Sequence, residues 1–320
     1  MFAYPINDNL VVVIDDRQSE DWVFHFVEIE PFQVETYQTP HGGSIVSVTV
    51  NSESFATWII ASGRLFASSR EMQVAVRLPL PIEGLVPFDV TLLGERYYVC
   101  GDASNIWFYD VPTEKWVAVS SPEKRPALPP RGENESAEDY TRRTSAASYQ
   151  HARSYPDIYK AFSVGNDHYF VGALGRVLRL REDELTGEWM DSGVRFLHGF
   201  AEDSDAVLCG SGPVAEIYKG NFETGFELVF QDDNPALFLM ATHDGVRYIG
   251  AGLHPDHEGP CLFVLDTNGD LVVVETACAR EPEQLRNLVS HSSSLLAIDA
   301  HGVFRLKEGR WSLTEFSDFS

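Results

Sequence analysis

Residues 97–116 decide how the chain is read: Tyr97-Tyr98-Val99-Cys100-Gly101, a short polar link, Asn105-Ile106-Trp107-Phe108-Tyr109-Asp110, a second link, then Trp116. Val, Ile and aromatic residues bounded by Gly, Asn and Asp mark short strands separated by turns. The phrase returns as His168-Tyr169-Phe170-Val171-Gly172, Arg176 to Leu180 and Trp189. It returns again as Ala206-Val207-Leu208-Cys209-Gly210, Ala215 to Lys219 and Phe226. Self-similarity of this kind is the mark of a repeat architecture.

Worked outward, the pattern divides the chain into units of four short strands. A large apolar residue opens the last strand of each: Phe32, Met72, Trp116, Trp189, Phe226, Leu271 and Trp311, spaced by 40, 44, 73, 37, 45 and 40 residues. Without the outlier the mean is about 41, within the blade length of propeller repeats. The outlier matches an irregular stretch, 122–155, placed between the third and fourth units. The expected fold is all-β: a seven-bladed β-propeller of four-stranded antiparallel blades, one domain over 1–320, with one irregular or short-helical insertion. A sandwich or solenoid is the competing architecture. The large apolar residues are expected to pack between blades. Both termini read as strands, so either the chain's own last strand or the N-terminal strand could complete the last blade.

This pattern resembles the bacterial WD40-like propellers. The Gly-His and Trp-Asp signatures of WD40 repeats are missing, as is the sialidase Asp box.

The charge is −24, from 48 acidic against 24 basic residues. Phosphate contacts require Lys and Arg, so no nucleic acid is expected as a ligand, and an anionic membrane surface would be repelled. A basic protein would be attracted and its association accelerated. The start of the chain lacks a basic region and a long apolar run, and no stretch reaches the length of a membrane span. These features predict a cytoplasmic protein. Cys100 and Cys209 occupy the same place in two repeats, which predicts small buried residues, not disulfide partners.

Loops joining second to third strands share a face with those joining one blade to the next. The insertion and the long 251–260 link are therefore expected on the same side. Ser136 with Asp139 three residues on fits a helix N-cap, and 137–150 is expected to be a short helix. The expected partner contacts are Glu133, Glu135, Glu138, Asp139 and Tyr140 in the insertion, with Asp256, His257 and Glu258 in the link. His254, Asp256, His257, Glu258 and Cys261 include metal-ligand types, but the spacing is weak and no metal or cofactor is expected. His198, His243 and His291 fall near the innermost strands without sharing a register. No nucleophile elbow and no phosphate-cradling loop is present.

The reading is a non-catalytic protein-binding propeller, in its sharper form an acidic immunity protein that masks a basic toxin or nuclease. The rivals are a hydrolase or lyase working in the central channel and a scaffold for a larger assembly.

Overall fold

The computed structural model describes residues 2–15, 22–30, 32–39, 44–51, 56–68, 76–120, 130–132, 135–252, 254 and 257–319. Seven four-stranded antiparallel sheets follow one another along the chain. Blade 1 holds β1 (Phe2–Pro5), β2 (Leu10–Asp15), β3 (Trp22–Glu28) and β4 (Gln33–Thr39). Blade 2 holds β5 (Ile45–Val50), β6 (Thr57–Ala61), β7 (Arg64–Ser68) and β8 (Val76–Leu78). Blade 3 holds β9 (Pro87–Leu93), β10 (Arg96–Gly101), β11 (Ile106–Asp110) and β12 (Lys115–Ser120). After helix α1 (Ala137–Ser154), blade 4 holds β13 (Ile158–Val164), β14 (Asp167–Gly172), β15 (Arg176–Arg181) and β16 (Glu184–Trp189). Blade 5 holds β17 (Arg195–Glu202), β18 (Asp205–Ser211), β19 (Ala215–Asn221) and β20 (Gly225–Asp232). Blade 6 holds β21 (Leu239–His243), β22 (Val246–Gly250), β23 (Leu262–Leu265) and β24 (Leu271–Val273). Blade 7 holds β25 (Asn287–Ser290), β26 (Leu295–Ile298), β27 (Gly302–Lys307) and β28 (Arg310–Glu315).

The innermost strands β1, β5, β9, β13, β17, β21 and β25 contact their neighbours in that order, and β25 returns to β1. This is the expected seven-bladed propeller. The burial pattern explains why the second strands look almost continuously apolar. β6, β18 and β26 are buried on both faces, because a blade neighbours each side. The outermost strands β12 and β16 are largely exposed. The core therefore lies between blades. Tyr98, Cys100 and Ile106 of blade 3, for example, pack with Ile158, Phe170 and Leu178 of blade 4. Cys100 and Cys209 are fully buried free thiols, and burial pushes both well above the usual range.

The large residues expected between blades behave unevenly. Trp116 is half-buried, lies edge-on to Trp58 and donates its indole N–H to Pro79 O at 3.0 Å. Phe32, in the turn before β4, and Trp189 are each 48% exposed. Trp189 ends β16 instead of opening it, and the Arg176 guanidinium lies over its ring, at 4.7 Å. Phe32 lies in a turn and Trp189 at the end of an outer strand, so each keeps about half its surface in solvent, whereas Trp116 on the outer strand β12 reaches inward to Trp58. Met72 lies outside the described residues.

Ring closure is settled by the chain's own strands. β28 completes blade 7, and β1 is the innermost strand of blade 1. Apolar packing of Ala3, Val11 and Val13 against Leu296, Ile298 and Val303 joins the two blades. Asp8 adds a polar clasp, accepting hydrogen bonds from the hydroxyls of Ser292, Ser293 and Ser294 and from Ser293 N. Partial burial raises the Asp8 carboxyl, but the serine hydrogen bonds outweigh it and hold the pKa at about 2. A depressed carboxyl contributes stability above its unfolded value of 3.8 and loses it as the pH falls toward about 2. Asp8→Asn is expected to remove about 1 kcal/mol at neutral pH, allowing for solvent screening. It should also flatten the acid limb of the stability curve; urea melts across that range check both effects.

Candidate functional site

Consecutive strands of each blade are antiparallel, so the link from second to third strand and the link to the next blade leave on one face. α1 and the 251–261 link both sit there. The exit of α1 is stitched to the second-to-third turn of blade 3. Ser104 N and Oγ donate to Pro156 O, and Ala103 N donates to Asp157 Oδ1.

α1 starts where Ser136 Oγ accepts from Asp139 N at 3.0 Å and donates to its Oδ2 at 2.7 Å. It runs four residues beyond the expected end, to Ser154. Glu135 is committed internally: Arg143 grips its carboxylate through two contacts of 2.8 Å, and Gly132 N donates a third. These bonds hold its pKa at about 2. Exposed Glu138 and Asp139 face Arg142. Tyr140 lies beneath the Arg143 guanidinium. The helix carries two carboxylates against the arginines 142, 143 and 153, so it is not itself an acidic element. Glu133 and Asp256 lie outside the described residues. Acidic turn residues Glu114, Glu182, Asp203, Asp244 and Glu308, all at positive φ, occupy hairpin turns of the opposite face. The negative charge therefore envelops the molecule and is not gathered beside α1.

A second feature of the helix-bearing face is a bulge repeated in four consecutive blades. On β5, Ile45 pairs with Ala61 and Ser47 with Ile60, which leaves Val46 extra. By the same displacement Phe88, Tyr159 and Leu197 are extra on β9, β13 and β17. A bulge re-aims a side chain out of the strand's alternation. These four sit where the innermost strands enter, around the mouth of the central channel. Val46 is 49% exposed, and the Phe88 and Tyr159 rings meet with centroids 5.1 Å apart. Opposite the bulges stand the small residues Ala61, Gly101, Gly172 and Gly210, so the glycine that closes the repeated phrase makes room for the entering strand. A Cβ on Gly172 would lie 2.0 Å from Asp157 O.

The residue after each bulge is polar: Ser47, Asp89, Lys160 and His198. Asp89, 2% exposed, takes Ser47 Oγ (2.7 Å) and Lys160 Nζ (3.0 Å) on Oδ1. Its Oδ2 takes Thr91 Oγ1 and Ala161 N. Ser47 Oγ in turn accepts from Val90 N. Side chains of one blade thus satisfy N–H groups on the next blade's innermost strand, which has no further strand to pair with. Burial works against the Lys160 charge, but Asp89 outweighs it and the ammonium is held above its ordinary pKa. Burial and then Lys160 push His198 down to about 4, so it is neutral. His198 shares its register with Ser47, Asp89 and Lys160 and not with the other histidines. His243 bonds Ser290 across blades 6 and 7, and burial lowers His291. Alignment of the innermost strands on the closing glycine would have revealed this polar belt.

The third feature is a cavity of about 340 Å³ between blades 6 and 7. His257, Gly259 and Cys261 form one wall, Glu283, Gln284 and Arg286 another, and Pro282 and Ala300 close it. Glu258 lies beside it, exposed. Asn234 Oδ1 accepts Ala236 N, so its amide nitrogen is the group that faces His257 Nδ1, at 3.1 Å. The imidazole proton therefore sits on Nε2, directed at Pro260 O (3.2 Å) and Cys261 Sγ (3.7 Å). A ring in this tautomer cannot take the thiol's proton. Burial, Glu283 and Asp299 raise the Cys261 pKa, so this Cys–His–Asn row is not an activated nucleophile. Among the described residues no group of three or more metal-ligating side chains comes together.

No protein-family model matches the chain, and no curated protein matches it in sequence. Solved structures do. The WD40 β-propeller domain of Doa1 superposes with a TM-score of 0.61 over 97% of this chain and 94% of that one, at 11% identity. The fold is that of the WD40 propellers. The Cps50 (Swd1) propeller domain of Myceliophteria thermophila gives 0.56 over 98% and 99%, at 12% identity. BamB from Moraxella catarrhalis gives 0.54 over 98% and 86%, also at 12% identity. No helix of the described residues is long and apolar enough to cross a membrane.

Proposed function

We propose that this propeller is a non-catalytic protein-binding module that takes one basic protein at the channel mouth on its helix-bearing face. The observation that carries the reading is the fourfold bulge. It sets Val46, Phe88, Tyr159 and Leu197 around the mouth, apolar and aromatic side chains of the kind found at the centre of protein interfaces. The net charge of −24 supports a basic partner, steered by the field of the whole molecule. In its sharper form the protein is an inhibitor, such as an immunity protein, whose partner is a basic toxin or nuclease masked without chemistry.

The channel belt favours binding over catalysis. All four acceptor positions of Asp89 are used within the fold, Lys160 is paired and His198 is held neutral.

Affinity capture from the cytoplasm with the tagged protein tests the reading. One stoichiometric basic partner is expected, with Val46→Glu and Tyr159→Ala each weakening it at least about tenfold. Undiminished capture by both variants would remove the mouth from the contact. Glu138→Gln is the better probe of the insertion, because Glu135→Gln would also break the Arg143 clasp.

A further inference from the structure

We propose that the cavity between blades 6 and 7 receives a lysine or arginine side chain of the partner protein. The inference rests on the protein-binding reading and names a second point of contact on the same face.

The cavity is built in advance. Asn234 fixes the His257 ring, and Gln284 Nε2 donates to both His254 O (3.1 Å) and His257 O (3.4 Å). A bridge between Gly252 and Leu285 holds the two walls at their root. Pre-organisation of this kind lowers the ordering cost of binding. Pro282, Cys261 and Ala300 offer an apolar surface for a methylene stem. The charges facing the cavity favour a cation at its head. Glu283 lines it, and among the described residues its carboxylate meets only His301 Nε2, at 3.7 Å. Exposed Glu258 adjoins the wall. Asp299, behind the floor, is neutralised by Arg280. Arg286, in the same wall as Glu283, is exposed and can turn its guanidinium to solvent. Burial first, then Glu283 and Asp299, raise the Cys261 thiol, so Glu283 acts on the cavity wall as a negative group.

The test titrates the ¹⁵N-labelled full chain with N-acetyl-arginine amide and follows amide shifts. The control is N-acetyl-citrulline amide, which keeps the shape and lacks the charge. Saturable shifts at Gly259, Cys261 and Glu283 are expected with the arginine compound. They should weaken about tenfold in Glu283→Gln and with citrulline. Ala300→Leu, which fills the space, should abolish them. Equal shifts for the two compounds, or shifts unchanged in Glu283→Gln, would overturn the proposal. Partner capture separates the two readings. Capture lost in Val46→Glu but untouched in Glu283→Gln would keep the mouth and refute the cavity contact. Capture weakened in both would support it.

Discussion

Replacing Asp89 with alanine is expected to lower stability by about 3 kcal/mol or more, the cost of leaving a buried charge without its partner. The carboxylate is 2% exposed and collects donors from blades 2, 3 and 4: Ser47 Oγ, Thr91 Oγ1, Lys160 Nζ and Ala161 N. Its removal strands an ammonium whose side chain is only 28% exposed, and orphans a backbone N–H on an innermost strand. Urea unfolding at neutral pH reads the loss as a lowered midpoint at unchanged slope. Adding Lys160→Met should recover a large part of it, because the stranded charge is then gone. A loss below about 1 kcal/mol would show that channel water solvates the belt and that the contact is not needed to join the blades.

Gly172→Ala is expected to cost about 3 kcal/mol, at the upper end of overpacking effects. The new methyl would lie 2.0 Å from Asp157 O and 3.0 Å from Ile158 Cα. Both are backbone atoms, so no rotamer change relieves the clash. Asp157 O accepts from Ala173 N, and Asp157 Oδ1 accepts from Ala103 N. A shift there therefore moves the entry of β13 and the bulged Tyr159, and partner capture should fall with stability. Gly165→Ala is the control. Gly165 has φ +58 in an exposed turn with nothing within 4 Å of the added atom, so only the left-handed strain of about 1 kcal/mol applies. Equal losses in the two variants would show that the repeated glycine serves backbone conformation and not close approach.

The sequence by itself determined the number of blades, most of their strands and the cap of the inserted helix. These are local signals. Alternation, turn residues and the Ser136–Asp139 pair act within a few neighbours, and a period of about 41 residues repeats them. Tertiary structure alone decided the rest. The bulges at Val46, Phe88, Tyr159 and Leu197 are properties of register, and register belongs to two strands at once. The polar belt joins residues 42 and 71 positions apart, so its members carry no mutual signal along the chain. Phe32 and Trp189 read like the other large apolar residues of the repeat but remain 48% exposed at the outer parts of their blades. Glu135 read as a partner contact, but folding places Arg143 against it. Composition fixed the sign and size of the charge, while the course of the chain around the ring decided where each charge lies and which of them are already paired.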